Sequence, residues 1–224
     1  MTKALLKIGI IGGAGPLAGA LLFEKIIQAC QRKYGCWNDA DFPFIVLLSF
    51  PFCEMLREER SHLREQLEEC FQKLVLMGAD LAVIACNTLH AFLPPIPKEI
   101  RLIHLIDETL SSLKGNPLVL ATSTSARYRL HAPCRYPDSL LQKRLDQIVD
   151  QVLAGESLPR LAEELAQLLN RESDTEFLLG CTEFSLLNER QPLASFGLDQ
   201  NVVLCDPYAV VAEKISSLTY GDGV

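Results

Sequence analysis

The chain has 224 residues, enough for one large domain or for two of roughly 100 residues each. Hydrophobic residues make up 49% of it and charged residues 22%, which excludes a disordered chain and allows a packed core. The formal net charge is −7; with no basic run, nucleic acid is excluded as an expected partner.

No apolar stretch approaches the ~18 residues of a membrane span. Met1–Lys7 lacks the apolar core of a signal peptide, so a cytoplasmic protein without membrane contact is expected. The eight cysteines show no regular spacing and no C-x-x-C pair. They read neither as a disulfide framework nor as a zinc site.

In chain order, Lys7–Ile11 reads as a buried β-branched strand and Leu17–Tyr34 as a helix, with Leu21, Leu22, Ile26 and Ala29 at helical offsets. Phe44–Phe50 is a second strand. Met55–Met77 is an amphipathic helix whose apolar stripe holds Leu56, Leu63, Leu67, Phe71, Leu74 and Val75, with Gly78 as its C-cap. Leu81–Ala85 is a third strand, ending at Cys86. Pro94-Pro95-Ile96-Pro97 forces a loop. Leu102–His104 is a short strand, Asp107–Leu113 a short helix, and Lys114–Pro117 a turn. The pattern restarts with strand Leu118–Ala121, helices Leu140–Leu153 and Leu158–Leu169, strands Phe177–Leu179 and Val202–Leu204, and a closing helix Ala209–Leu218. Strands alternating with helices imply parallel βαβ units. The second half reads as a weak second copy of the first. The expected division is therefore 1–114, carrying Cys86, and 115–206, carrying Cys181, with 207–224 packing back on the first domain.

Two segments carry the chemistry, Ala85-Cys86-Asn87-Thr88 and Gly180-Cys181-Thr182-Glu183. Each follows an apolar strand, at the edge where an open α/β sheet meets its ligand. A buried cysteine ordinarily only fills space. Here both precede a threonine and a helix start, whose N–H groups stabilise a thiolate. Cys30, Cys36, Cys53, Cys70, Cys134 and Cys205 lack that context and read as packing.

Gly12-Gly13-Ala14-Gly15-Pro16 nominally fits a dinucleotide fingerprint. Pro16 removes a donor where a phosphate needs one, and no acidic residue ends the second strand. A tight loop approaching a small ligand is the better reading. Thr122-Ser123-Thr124-Ser125 serves equally as a helix cap or as a hydroxyl-rich carboxylate pocket. Lys143 and Arg57 are cations on helices, where solvation is the ordinary fate. His90, one turn beyond Cys86, either tunes that thiol or simply packs.

At Gly9–Leu17, Ala85–His90 and Leu179–Glu183 the chain resembles the aspartate/glutamate racemase family over nearly its whole length. Glu183 after the second Cys-Thr, and His90 after the first, resemble the aspartate racemase branch. The resemblance implies two similar parallel-sheet α/β domains facing across a cleft. It also implies racemisation of aspartate or glutamate by an opposed Cys86/Cys181 acid/base pair, without pyridoxal phosphate or metal. Gly13, Asn87, Thr88, Thr122, Ser123, Ser125, Thr182 and Glu183 would bind substrate, and Lys143 would meet its side-chain carboxylate. Family members often dimerise, so the resemblance leaves a homodimer open, and the sequence itself does not decide it. The chain departs from the family at Ala14, where methionine is usual, at Thr124, where glycine is usual, and near Arg57, where a gap-free match places Leu56 instead of the side-chain-binding arginine. The alternatives are a one-cysteine isomerase or decarboxylase on the same scaffold, or a carboxylate-binding protein without turnover.

Overall fold

The computed structural model describes residues 5–53 and 62–221. It forms two compact units, Met1–Glu108 with Tyr208–Val224, and Thr109–Pro207.

The first unit is a parallel sheet of β1 (Ile8–Gly12), β2 (Ile45–Ser49), β3 (Leu81–Ile84) and β4 (Arg101–Ile103), ordered β2-β1-β3-β4. Ile8 pairs with Ile45 on one side and Leu81 on the other. β1 and β3 are buried along their whole length, as apolar runs in a sheet covered on both faces require. The crossovers include α1 (Pro16–Tyr34) and α2 (Leu63–Leu76). α1 starts with proline after a left-handed Gly15 and stops at a left-handed Gly35, the usual asymmetry of helix ends. α2 buries Leu63, Leu67, Phe71 and Leu74 of the expected stripe, together with Cys70, while Val75 is half-buried; the start expected at Met55, with Leu56 and Arg57, lies outside the described residues. α3 (Leu105–Ser112) carries the chain towards the second unit, and α8 (Pro207–Tyr220) returns it to the first. The units part inside α3, a few residues ahead of the Lys114–Pro117 turn.

The second unit holds β5 (Leu118–Val119), β6 (Glu176–Leu178) and β7 (Val203–Cys205), all parallel and in chain order. An isolated parallel bridge from Arg135 to Leu118 lies on β5, with Val119 N–H donating to Arg135 O at 2.8 Å. That bridge occupies the place β2 holds beside β1. The repeat anticipated in the sequence is thus a sheet of the same order with its second strand reduced to one residue. Helices α4 (Ser123–Arg127), α5 (Ser139–Leu153), α6 (Leu158–Leu169) and α7 (Thr182–Arg190) cover it. α5 begins with a true cap, Asp138 accepting from Leu140 N–H and Leu141 N–H. Among the described residues, no helix is long and apolar enough to cross a membrane.

Candidate active site

In the first unit the chain leaves β1 towards β2 on one side, then returns to β3 on the other. The C-terminal ends of β1 and β3 therefore flank the switch point, where open α/β sheets place their ligands. Gly13 follows one strand and Cys86 the other. Gly13 has φ 107°, and a Cβ there would lie 2.0 Å from Phe50 O. Phe50 N–H donates to Gly12 O at 2.9 Å. The glycine loop is thus required by the close passage of the chain after β2, and no phosphate is needed to explain it.

Cys86 is set by its neighbours' backbone. Ala85 N–H donates to Ile11 O at 2.8 Å, and the wholly buried Tyr208 of α8 donates its hydroxyl to Ala85 O at 3.0 Å. The helix start expected after Cys86 is a five-residue 3-10 turn, Thr88–Phe92, with Asn87 ahead of it. So short a turn carries little of the dipole that an α-helix would offer a thiolate. Asn87, Thr88 and His90 are all buried. His90 Nδ1–H donates back to Cys86 O at 2.9 Å, and its ring meets that of His104 edge-on at 4.4 Å. Burial lowers the pKa of His104, against the pull of Asp107.

In the second unit the equivalent strand ends carry Thr122 after β5 and Cys181 after β6. Thr122 is the N-cap of α4, accepting from Ser125 N–H, and its hydroxyl donates to Ser125 Oγ at 3.2 Å. Ser123 gives its N–H to Asp146 Oδ1 at 2.9 Å and its hydroxyl to Asp146 Oδ2. Gln142 Nε2 reaches Ala121 O at 2.8 Å and Asp146 Oδ1 at 3.2 Å. The hydroxyl run is therefore engaged as a cap and as a clamp onto α5. Lys143, next along α5, is exposed and has no hydrogen bond or ion pair among the described residues.

Gly180 lies where a Cβ would meet Val119 Cγ1 at 2.5 Å and the His131 ring at 3.2 Å. Only glycine lets the strand end approach them so closely. Cys181 then caps α7 with extended backbone, φ −119° and ψ 134°. Its thiol donates to Glu183 Oε2 at 2.9 Å, and Thr182 Oγ1 donates to the same oxygen at 3.2 Å. Glu183 is 5% exposed. Burial holds its carboxyl above the usual range, opposed by hydrogen bonds from Cys181, its own backbone and Thr182.

Within the units the structure thus brings together Gly13, Cys86, Asn87 and Thr88, and, separately, Thr122, Ser123, Ser125, Cys181, Thr182 and Glu183. Tyr208, His131, Asp146 and Gln142 were not singled out in the sequence. Tyr208 and His131 act through contacts distant along the chain, which no local pattern shows. Gln142 and Asp146, one turn apart on a polar helix face, gave a faint signal. Among the described residues, no group of three His, Cys, Asp or Glu side chains is placed to hold a metal ion.

Two parallel α/β sheets of this kind are the fold of solved aspartate and glutamate racemases, and in sequence the chain is similar to an amino-acid racemase. It matches Picrophilus torridus aspartate racemase with a TM-score of 0.73 at 20% identity, over 96% of this chain and 94% of that one. It also matches the glutamate racemase of Francisella tularensis subsp. tularensis SCHU S4, solved in complex with D-glutamate, with a TM-score of 0.64 at 18% identity, over 97% and 82% of the two chains. In sequence it is 28% identical to the broad specificity amino-acid racemase RacX of Bacillus subtilis (strain 168) over 162 residues, 68% of this chain and 71% of that protein. No protein-family model matches the chain.

Proposed function

We propose that the chain is an amino-acid racemase that works with side chains alone, using Cys86 and Cys181 as its two acid/bases. The observation that supports this most is that equivalent strand ends, β3 and β6, each deliver a cysteine followed by small hydrogen-bonding residues, in a fold shared with racemases. The Cα proton of an amino acid is far less acidic than a thiol. The carbanion must therefore be stabilised as it forms, through preorganised donors on the α-carboxylate. Asn87, Thr88 and Thr182 fill that role in this reading, with the first N–H groups of α7. One cysteine, as thiolate, removes the proton; the other, as thiol, supplies one to the opposite face. The active form then holds one thiolate and one thiol, and the pair titrates as a unit.

Aspartate or glutamate is the proposed substrate, with the unpaired Lys143 meeting the side-chain carboxylate. Arg57, the other candidate for that charge, lies outside the described residues. A wider substrate range is the second reading, favoured by the similarity to a broad-specificity racemase. One experiment separates them: an amino-acid panel followed by loss of circular dichroism, on the wild type and on Lys143→Ala. The first reading expects aspartate or glutamate to turn over fastest. It also expects Lys143→Ala to raise KM for dicarboxylic substrates about tenfold, the loss of about 1.4 kcal/mol of binding, with little change for alanine or serine. Equal effects on both classes favour the second reading. No racemisation of any amino acid sinks both and leaves the carboxylate-binding alternative.

A further inference from the structure

At Cys181 the sulfur itself is hydrogen-bonded to a buried acid. Sγ donates to Glu183 Oε2 at 2.9 Å, and among the described residues that carboxylate pairs with no cation: its remaining hydrogen bonds come from the Thr182 hydroxyl and its own backbone. An acid in the first turn of a helix is ordinary, because it complements the helix dipole. Such acids are normally solvated. Glu183 is instead almost wholly buried and turned back onto the thiol.

A buried carboxylate without a cation is costly as a charge and gains by taking a proton. The closest proton is the one on Cys181. Moving it from Sγ to Oε2 converts thiol plus carboxylate into thiolate plus carboxylic acid. The pair keeps one negative charge throughout, and the new acid donates a hydrogen bond to the thiolate it has made.

We propose that Glu183 is a positioning residue that acts through Cys181, holding the Sγ proton when that cysteine serves as base and returning it when the cysteine serves as acid. The inference deepens the racemase reading and rests on it for the turnover step. In one direction the proton passes to Oε2, and the thiolate takes the Cα proton. In the other, Sγ–H protonates the Cα carbanion, and the Oε2 proton passes to the sulfur. Every proton is accounted for within the pair and the substrate, and no oxidant or reductant takes part.

A carboxylate that merely sits beside a thiol gives the opposite expectation. Its charge repels the thiolate, so its removal would make the thiol more reactive. The sign of the effect therefore decides. The test is Glu183→Gln, which keeps shape and an acceptor oxygen but cannot take the proton. Alkylation of Cys181 and Cys86 by iodoacetamide at neutral pH is followed site by site by mass spectrometry, with circular dichroism as the check on folding. Cys181 should be alkylated at least fivefold more slowly than in the wild type, and Cys86 at an unchanged rate. In racemisation, the primary isotope effect of α-deuterated substrate should rise more for the enantiomer deprotonated by Cys181 than for the other. A smaller slowing, no change, a faster reaction at Cys181, or equal slowing of both thiols overturns the proposal. If Glu183→Gln does not fold, Glu183→Asp, which withdraws the acid by one methylene, is read against the same thresholds. The alkylation arm needs no substrate. A wild type that racemises nothing but shows the selective slowing keeps the proton partnership and loses the racemase reading; an active wild type without the slowing does the reverse.

Discussion

Cys86 and Cys181 end equivalent strands, yet they are held in different ways. At Cys86 the chain is gripped through its backbone. Tyr208 bonds the carbonyl before it, His90 bonds its own carbonyl, and a short 3-10 turn follows. At Cys181 the grip is on the sulfur, through Glu183, and an α-helix of nine residues begins there. The loops beside them differ in the same spirit. After β1 the turn is glycine-rich and closed by backbone contacts with the segment following β2; after β5 it is hydroxyl-rich and tied by Asp146 and Gln142 to α5. At Cys181 the hydrogen bond to Glu183 orients the proton on the sulfur itself. A racemase can use such unlike bases. The equilibrium between enantiomers is unity whatever the bases are, so only the balance of individual steps feels the difference.

The strongest way to break the comparison is to remove each thiol in turn. Cys86→Ser and Cys181→Ser should each lower kcat by about a thousandfold, ~4 kcal/mol of barrier, because a serine hydroxyl does not ionise at neutral pH. Folding, followed by circular dichroism, should change little. If one variant keeps more than about a tenth of wild-type kcat, ~1.4 kcal/mol, the two stations are not equivalent partners and a one-base reaction takes over.

The next effect belongs to the Cys181 station alone. His131 packs beside Gly180, is almost wholly buried, and has its pKa pushed down to about 4 by that burial. An unfolded chain takes up this proton near pH 6.5, whereas the folded chain refuses it until about pH 4. The stability tied to the neutral ring is therefore fully present above the unfolded value. It declines as pH falls through the window between the two, by about 3 kcal/mol from pH 7 to pH 4. Denaturant unfolding of the wild type and of His131→Gln at those two pH values isolates it. The variant should lack about 3 kcal/mol of the acid-induced loss; parallel behaviour of the two proteins would remove His131 from this account.

Much of this contrast could be read in the sequence, and the rest could not, for identifiable reasons. The two segments around Cys86 and Cys181 and the alternation of strands and helices depend on local pattern. The helix spanning 158–169 was bounded as observed, because Pro159 near its start and the Leu161, Leu165 and Leu169 stripe mark it. The Thr122–Ser125 run is legible as chemistry; that Thr122 caps α4 and that Ser123 holds Asp146, a residue 23 positions away, is not. The turn after Cys86 could not be told from an α-helix, since Thr88–Phe92 has the composition of either and Pro94 and Pro95 end it early. Glu183 was expected to face substrate; that its carboxylate turns to Cys181 is a matter of rotamer and burial, which spacing does not encode.

Tyr208→Phe is the mildest change and bears on the Cys86 station alone. The ring is wholly buried, so phenylalanine keeps the packing and deletes only the hydroxyl that reaches Ala85 O at 3.0 Å. One buried neutral hydrogen bond contributes about 1 kcal/mol. The variant should therefore lose about 1 kcal/mol of unfolding free energy in denaturant titration. Its second signature is local. With the carbonyl before Cys86 released, that thiol should change its alkylation rate, whereas Cys181, held through Glu183 and α7, should not. Racemisation should fall only a few-fold, because a loosened backbone misplaces the base without removing it. If both thiols respond equally, the backbone grip assigned to Tyr208 is not specific to Cys86. If neither responds while stability falls, the Tyr208 hydrogen bond contributes to stability without holding the thiol, and the two stations differ through Glu183 rather than through how their backbones are held.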